Sequence, residues 1–199
     1  MAALAQPGSP PPVPSDRLAR ELKAELRGAV GFDPGSRALY ATDGSIYRQT
    51  PIGVVWPRDT EDLIRAVAVC RHHQTPVLVR GCGTSLAGQT CNHAVVLDIS
   101  RHLTRILRLD PHRRTAWVEP GVVLDDLRAR AERHHLTFAP DPATHNRCTL
   151  GGMIGNNSCG VHSILGGRTA ENVEELDILT YGGLRLRVGP TSDKSLGAI

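Results

Sequence analysis

Glycine, serine and threonine are concentrated in two segments of this chain whose residue types suit ligand binding. The first glycine segment has the sequence Arg80-Gly81-Cys82-Gly83-Thr84-Ser85-Leu86-Ala87-Gly88-Gln89-Thr90, and the second glycine segment has the sequence Thr149-Leu150-Gly151-Gly152-Met153-Ile154-Gly155-Asn156-Asn157-Ser158-Cys159-Gly160. Glycine loses more conformational freedom on folding than any other residue, so a cluster of glycines needs a structural reason. Because consecutive N–H groups in a glycine turn form a positive concavity, both segments predict anion binding, above all of phosphate.

Spacing separates the phosphate-binding motifs that compete for the first glycine segment. Its glycines have P-loop spacing, but Gln89 stands where a P-loop has the lysine that reaches the β- and γ-phosphates. Leu86 stands where the Rossmann dinucleotide fingerprint needs its third glycine. Ser158 is not a nucleophile-elbow serine, because Asn156 occupies the position of the required glycine. These residues therefore predict a diphosphate-sized loop that follows a strand and has Arg80 at its entry.

Both segments resemble parts of one known family. A strand at residues 77–79 followed by the first glycine segment resembles the pyrophosphate loop of flavin enzymes of the vanillyl-alcohol oxidase and p-cresol methylhydroxylase (PCMH) type. Residues 140–144 and the second glycine segment resemble that family's second flavin-binding stretch, and residues 52–57 and 174–180 also match its pattern. The subgroup most resembled comprises the FAD subunits of glycolate oxidase and the D-lactate and D-2-hydroxyglutarate dehydrogenases. The likeness extends from about residue 37 to the end of the chain.

The resemblance implies FAD as the cofactor. Backbone amides of residues 81–85 and the Thr84 and Ser85 hydroxyls are expected to hold its diphosphate, while the second glycine segment approaches the ribityl chain and the ring. Some relatives with covalent flavin have a histidine near the position of Thr84, so threonine there implies noncovalent FAD. The implied cofactor-binding residues are Arg80, Gly81, Cys82, Gly83, Thr84, Ser85, Leu86, Gly88, Asp141, Pro142, Thr149, Gly151, Gly152, Gly155, Asn156, Ser158, Cys159, Gly160 and Val161.

The resemblance also implies a reaction. It is the oxidation of a D-2-hydroxy acid (D-lactate, glycolate or D-2-hydroxyglutarate class) to the 2-oxo acid by hydride transfer to flavin. No residue is assigned as the catalytic base, and the electron acceptor is unknown. Family members continue with a Gly-Ser-Glu-Gly-Thr motif and a substrate domain that this sequence lacks. We therefore expect an amino-terminal fragment or split subunit, inactive alone, whose substrate domain is supplied by a partner chain or a lost region. The alternative is a noncatalytic flavin-binding module, or a truncated remnant, that needs a partner chain.

Composition excludes several other classes of function. The net charge is only +3 and aromatic residues make up 4% of the chain, so we expect no nucleic-acid partner. The five cysteines form no Cys-x-x-Cys pair, and no signal peptide precedes them, which predicts a reducing cytoplasm. No apolar stretch approaches the roughly 20 residues that span a bilayer. Peripheral contact with the inner face of the membrane stays open.

Histidines and cysteines invite a metal or redox interpretation that their spacing does not favour. The nine histidines include no His-x-x-x-His pair with a nearby carboxylate, so we expect no metal site. His145 and His162 flank the second glycine segment; facing the substrate and merely lining the entry to the cofactor are both open roles for them. Cys159 is expected to be a small buried apolar side chain rather than a redox partner.

The elements that must position these segments follow from periodicity and turn residues. Residues 1–14 predict a disordered tail, residues 15–50 a helix (16–29) and a lead-in, and residues 51–199 an FAD-binding domain incomplete at its carboxyl end. In the domain we expect strands at 52–56, 77–79 and 94–98, a helix from 59 to 73 whose apolar face is Leu63, Ile64, Val67 and Ala68, and a hairpin at 106–118. A helix at 123–134 and paired strands at 176–181 and 184–188 follow.

These elements predict an α+β fold, and the resemblance implies that it is of the PCMH type with two small subdomains. A strand–helix–strand unit carries the phosphate loop at the carboxyl end of a strand, where open α/β sheets bind their ligands. A mixed or antiparallel sheet follows, and FAD is expected between the two.

Overall fold

The computed structural model describes residues 15–190 of the chain. The elements in chain order are α1 (Ser15–Glu25), β1 (Ala29–Gly31), α2 (Pro34–Leu39), β2 (Gly53–Trp56), α3 (Thr60–His72), β3 (Val77–Arg80), β4 (Val95–Asp98), β5 (Ile106–Asp110), β6 (Thr115–Val118), α4 (Leu124–Glu132), α5 (Leu150–Asn156), α6 (Ser163–Gly166), a short 3-10 helix (Thr169–Asn172), β7 (Leu176–Leu179) and β8 (Arg185–Val188). The predicted tail, residues 1–14, and the last nine residues of the predicted domain lie outside the described range.

A four-stranded sheet with the order β1-β2-β4-β3 forms the centre of the first half of the chain. Strands β2, β4 and β3 run parallel, and β1 pairs antiparallel with β2 at the edge. Strand β4 lies between β2 and β3. The connection that contains the first glycine segment therefore joins two adjacent parallel strands, from the carboxyl end of β3 to the amino end of β4. The predicted strand–helix–strand unit is confirmed, with α3 as its helix.

Helices α1 and α3 pack together on this sheet. Leu18 and Leu22 of α1 and Leu26, directly after its end, are buried in one core with Val55 and Leu97 of the sheet, as the four-residue spacing of the leucines predicts. The apolar face predicted for α3 is partly wrong: Val67 is buried, but Ala68 is exposed. Helix α3 instead turns its Ala66, Val69 and Cys70 side chains into the same core.

The predicted helix over residues 16–29 ends early, at Glu25. The buried carboxylate of Asp62 accepts hydrogen bonds from the backbone N–H groups of Arg27 (3.1 Å), Gly28 (2.8 Å) and Arg58 (3.0 Å). A Cβ at Gly28 would also stand under 3.0 Å from the carbonyl oxygen of Trp56. The chain therefore leaves the helix, approaches β2 closely and begins β1 at Ala29. These contacts are tertiary, so the periodicity of the sequence could not predict where the helix ends.

Helices α2 and α5 have no counterpart among the predicted elements, and neither do the short helix α6 and the 3-10 helix. Helix α2 begins after Asp33, whose carboxylate accepts the Ser36 N–H at 2.8 Å, and has proline in its first turn. Helix α5 lies inside the second glycine segment, where three glycines weaken helix propensity. It forms there because the Thr149 hydroxyl caps it and Leu150 and Met153 are buried against α4 in a second core.

The second half of the chain is built from antiparallel hairpins and short helices. Strands β5 and β6 pair antiparallel, and the predicted helix carries Leu124, Leu127 and Ala131 on its buried face. Strands β7 and β8 pair antiparallel as predicted, with Gly183 at φ +87° in the turn. The Tyr181 hydroxyl donates to the Thr75 carbonyl at 2.9 Å, which fastens this hairpin beside the first layer. The α+β prediction is confirmed.

Candidate cofactor-binding site

The carboxyl ends of the three parallel strands meet at one edge of the sheet. Trp56 ends β2, Arg80 ends β3 and Asp98 ends β4, with Arg80 and Asp98 paired in register. The first glycine segment leaves the sheet at this edge, directly after β3. This is the side on which open α/β sheets bind their ligands, because the loops and the free N–H groups of the connections gather there.

Two glycines of the first segment adopt backbone conformations that other residues rarely take. Gly83 has φ +70° and Gly88 has φ +77°. A Cβ at Gly83 would stand under 3.0 Å from the Arg80 guanidinium, and one at Gly88 would meet the Tyr47 ring equally closely. Glycine is required at both positions, since a side chain there would be strained by its φ and blocked by its neighbour.

Backbone N–H groups line the first glycine segment without internal partners. None of the N–H groups of residues 81–86 donates to an acceptor within residues 15–190, and the Thr84 hydroxyl likewise has no partner in that range. The Ser85 hydroxyl, in contrast, bonds to the Gln89 side chain. A run of unpaired N–H donors in a glycine turn is the geometry that binds phosphate oxygens. The segment therefore fits the diphosphate of FAD.

The Arg80 side chain points back into the protein. Its buried guanidinium donates to the carbonyl oxygens of Tyr40 (3.3 Å), Thr42 (2.8 Å) and Thr90 (3.2 Å). It also stands over the Tyr40 ring, 5.1 Å from the ring centroid. The guanidinium thus joins the beginning of the first glycine segment to its end and to the lead-in.

The two glycine segments touch each other. A Cβ at Gly81 would lie well under 3.0 Å from the hydroxyl oxygen of Thr149, which is itself buried. That hydroxyl accepts the Gly152 N–H at 3.3 Å and so caps α5. Gly151 is pressed against Pro120 in the same way. Segments about seventy residues apart in the sequence therefore form one continuous surface, which the resemblance to flavin enzymes requires.

Beyond Thr149, the second glycine segment has a buried side and an open side. Gly155 has no heavy atom within 4 Å of the place where a Cβ would stand, and Asn156 is exposed. Asn157 ends α5 in the left-handed conformation, and Ser158 is held by its N–H bond to the Met153 carbonyl at 2.9 Å. Cys159 and Val161 are exposed, so the prediction that Cys159 is buried is wrong.

Asp141 closes the end of this segment. Its carboxylate accepts the His162 backbone N–H at 3.1 Å and also bonds to Nδ1 of the His162 ring. A Cβ at Gly160 would collide with Asp141, so the two turns lie in close contact. The hydrogen bond from His162 lowers the pKa of Asp141 below its ordinary value. Asp141 therefore bonds within the protein, while neighbouring Pro142 is half-buried in the same turn.

The other flanking histidine is engaged elsewhere. Nδ1 of His145 lies 2.8 Å from the Asp125 carboxylate in an exposed pair beside α4. No group of three metal-ligating side chains occurs within residues 15–190.

A buried polar network supports the site from behind, and sequence reasoning missed it. The Trp56 indole N–H donates to the Tyr40 hydroxyl at 2.7 Å, and that hydroxyl donates to Asp98 at 2.5 Å. Burial, together with the hydrogen bond to Asp98, raises the pKa of Tyr40 to about 12. Burial and the charge of Asp98 also raise the pKa of the Cys82 thiol. The available signal was the position of Trp56 and Asp98 at the ends of adjacent parallel strands.

Asp43 is a second residue that sequence reasoning missed. It accepts the Thr90 hydroxyl at 2.9 Å and the Thr90 N–H at 3.3 Å, and it caps its own turn through the Ser45 N–H at 2.9 Å. Burial raises its pKa, but the bonds from Ser45 and Thr90 outweigh that effect and lower the pKa to about 2. The signal here was the Asp43-Gly44-Ser45 turn sequence, which marks a turn but not what the turn contacts.

The fold and this site define a class, the FAD-binding domain of flavin-dependent oxidoreductases. Residues 51–189 match the family described as the FAD binding domain, and the chain belongs to that family. FAD is therefore the cofactor of this domain.

Two of the curated relatives show how much of a longer protein this chain matches. The chain is 38% identical over 174 residues to the D-2-hydroxyglutarate dehydrogenase of Pseudomonas putida, a match that covers 86% of this chain and 17% of that protein. It is 32% identical to the glycolate oxidase subunit GlcD of Bacillus subtilis, covering 85% of this chain and 37% of that subunit. The chain thus spans less than two-fifths of these relatives.

Solved structures agree on the fold. An alkyldihydroxyacetonephosphate synthase superposes with a TM-score of 0.78 at 21% identity over 91% of this chain and 36% of its own. The BBE-like 1 protein of Physcomitrella patens superposes with a TM-score of 0.74 at 18% identity over 90% of this chain and 39% of its own. Within residues 15–190, none of the helices has the length and apolar character needed to cross a bilayer.

Proposed function

We propose that this chain is the FAD-binding portion of an oxidoreductase that oxidises a D-2-hydroxy acid to the 2-oxo acid. One observation carries the cofactor part of the proposal. The N–H groups of residues 81–86 have no acceptor in the described range, and they lie where β3 ends, against the second glycine segment. The substrate class follows from relatives named D-2-hydroxyglutarate dehydrogenase and glycolate oxidase.

The residues implied by the resemblance divide into two roles in this proposal. The diphosphate is held by the N–H groups of residues 81–86 and the Thr84 hydroxyl, while the open side of the second glycine segment, including Gly155 and Asn156, faces the rest of the cofactor. Arg80, Asp141 and Thr149 act through the protein, since their side chains bond to or cap neighbouring backbone. Threonine at position 84 supports noncovalent binding. The FAD-binding unit is proposed to extend over residues 51–199.

The chemistry that FAD supplies when bound is acceptance of a hydride from the α-carbon of the hydroxy acid. Residues of this chain bind and orient the cofactor. Orientation of the hydroxy acid is assigned to the region that the relatives possess and this chain does not span, whether it lies on a partner chain or in a longer form of this one. The electron acceptor is a further partner of that assembly.

Retention of FAD by the purified chain tests the cofactor site. We expect the visible flavin absorbance to stay with the protein after gel filtration, and Gly83→Ala to abolish that retention. Alanine at φ +70° costs about 1 kcal/mol, and its Cβ displaces the Arg80 guanidinium. The matched control is Gly182→Ala, where the nearest heavy atom lies at 3.7 Å in an exposed turn away from the site. A colourless, folded wild-type chain would contradict FAD binding by this chain alone.

The substrate class needs a separate experiment. The FAD-loaded chain is mixed with a separately expressed substrate domain from a relative and, with oxygen and other electron acceptors excluded, supplied with D-lactate, glycolate or D-2-hydroxyglutarate. We expect bleaching of the flavin absorbance with one of these acids and, for the two chiral acids, none with the L-enantiomer. Bleaching that does not depend on the hydroxy acid would refute the substrate assignment and leave the cofactor site intact.

One observation favours a second candidate, a noncatalytic flavin-binding module that acts by assembling with a partner chain. Helix α6 and Val161, two residues before it, expose three apolar side chains: Val161 (83%), Ile164 (96%) and Leu165 (93%). A cluster of exposed aliphatic side chains next to a ligand site is typical of an interface. Bleaching by no hydroxy acid, with FAD retained, would favour this module over the enzyme.

A further inference from the structure

A short segment outside the family-matched region lies on the first glycine segment. Residues 41–49, here called the clamp, fold back on themselves: the Gln49 N–H donates to the Ala41 carbonyl at 2.8 Å, and Thr42 bridges to Arg48. The FAD binding domain family begins at residue 51. The Gly44 N–H of the clamp donates at 2.9 Å to the carbonyl of Gly83, the residue of the first glycine segment with φ +70°.

Two charged side chains fasten the clamp to the first glycine segment at Thr90. Asp43 accepts the N–H and the hydroxyl of Thr90, and Arg80 donates to its carbonyl. All three polar groups of Thr90 are thereby engaged. Arg80 also donates to the carbonyl of Thr42, next to Asp43 in the sequence. Arg80 and Asp43 therefore both connect the clamp, at residues 42 and 43, to Thr90.

The backbone of residues 81–84 makes no hydrogen bonds within the first glycine segment that would set its shape. The N–H groups of residues 81–86 donate to nothing within residues 15–190, and glycines at positions 81, 83 and 88 leave the backbone many alternatives. The first glycine segment is restrained by the hydrogen bonds of the Arg80 guanidinium, by the local hydrogen bond between the Ser85 and Gln89 side chains, and by the clamp. A loop that must bind anions through its N–H groups has to be shaped by contacts that leave those groups free.

We infer that the clamp holds the first glycine segment in its anion-binding conformation, with Asp43 and Arg80 as the two positioning residues. The identity of the anion, the FAD diphosphate, rests on the proposed function. Asp43 is suited to this role because its depressed pKa keeps it ionised at any physiological pH. Removal of the clamp contacts lowers the fraction of molecules whose loop can bind, and the apparent affinity falls by that fraction.

Hydrogen exchange of the FAD-free full chain tests the clamp without any ligand. The variants are Asp43→Ala and the milder Thr90→Val, which removes one hydroxyl and keeps the side-chain shape. The reporters are the amides of Gly44 and Cys91, which bond to Gly83 and Gly88 rather than to Asp43. We expect both amides to exchange about tenfold faster in each variant, as the loss of about one or two hydrogen bonds predicts.

The matched control is Asp110→Ala. Asp110 also caps a hairpin turn through two backbone N–H groups, those of His112 (3.1 Å) and Arg113 (3.0 Å), but it lies in the β5–β6 turn. Its replacement should accelerate exchange only at that turn. Unchanged exchange at Gly44 and Cys91 in both Asp43→Ala and Thr90→Val would overturn the inference, and Thr90→Val remains decisive where Asp43→Ala fails to fold.

Affinity measurements with Arg80→Lys separate positioning from direct phosphate binding. Lysine keeps the charge but cannot bridge three carbonyls with a planar fork. We expect FAD and ADP to bind Arg80→Lys about tenfold more weakly, with exchange accelerated at Gly44. Near wild-type affinity with unchanged exchange would show that only the charge matters and would remove Arg80 from the clamp. Failure of the wild-type chain to bind FAD or ADP would refute the proposed function, whereas the exchange result would stand by itself.

Discussion

Replacement of Gly81 by alanine should destabilise the protein through contact with Thr149. The new Cβ would stand well under 3.0 Å from the Thr149 hydroxyl oxygen and 3.1 Å from its methyl carbon. Thr149 is buried and caps α5, so it cannot move aside without loss of its bond to the Gly152 N–H. Overpacking of this kind costs about 1–3 kcal/mol, and we take about 2 kcal/mol for Gly81→Ala.

A double-mutant cycle assigns that cost to the predicted partner. Thr149→Ala removes the clashing atoms and loses the helix cap, at a cost of about 1 kcal/mol. Independent sites would make the double variant about 3 kcal/mol less stable than the wild type. Most of the clash disappears with the threonine hydroxyl and methyl groups, but the Cβ of residue 149 stays 3.2 Å from the new Cβ. We therefore expect the double variant to be about 1.5–2 kcal/mol less stable than the wild type, a coupling of about 1–1.5 kcal/mol.

Equilibrium urea unfolding, followed by far-ultraviolet circular dichroism, measures the four free energies of unfolding. Gly182→Ala is the control, with an expected change within about 0.5 kcal/mol. Additivity of the two single changes within about 0.3 kcal/mol would refute the contact between the two glycine segments. It would also remove the argument that the segments form one continuous surface.

Three further predictions use the same unfolding assay. Asp62→Asn should cost about 2–4 kcal/mol of unfolding free energy. Both oxygens of the Asp62 carboxylate accept backbone N–H groups, and an amide, with one oxygen, leaves the N–H of Arg27, Gly28 or Arg58 unpaired. The control, Asp16→Asn at an exposed position, should change stability by less than about 0.5 kcal/mol, and equal effects of the two changes would contradict this reasoning. Gly155→Ala should stabilise the chain by about 0.5–1 kcal/mol, because alanine favours the helix and its Cβ would have no heavy atom within 4 Å. A loss of stability would show that other atoms occupy the space of that Cβ. The bond from His162 lowers the pKa of Asp141, so its stabilisation is present above the ordinary pKa of a carboxyl group and is lost as the pH falls through the lowered pKa. His162→Leu should therefore flatten the stability profile in that acidic range, and parallel profiles would refute the pairing.

Local patterns predicted the elements whose signals are strong and short in range. Strands β2 and β3, the β5–β6 hairpin and the buried face of α4 all lie where alternation, turn residues and leucine spacing placed them. Helix α5 was missed because three glycines outweigh its cap in any propensity argument, yet burial of Leu150 and Met153 supplies the missing stability. Propensity is a weak prior that packing overrides.

The site was predicted as a set of segments but not as a set of side-chain roles. Arg80 lies at the entry of the first glycine segment, as its position in the sequence states, but its guanidinium turns inward to three carbonyls. Asp141 likewise bonds to His162, 21 residues away. Asp43 lies 47 residues from its partner Thr90, and no local pattern connects them.

The sequence alone indicated which backbone we propose as the anion-binding loop. Glycines that must adopt positive φ, hydroxyls beside them and a preceding strand are local properties, and they identify the segments and, by resemblance, FAD. Only the tertiary structure decided that the charged side chains of Arg80 and Asp43 bond to the backbone of that loop and its neighbours. The physical reason is that a guanidinium or carboxylate bonds to whatever unpaired backbone lies within about 3 Å, and the fold alone determines which part of the chain that is.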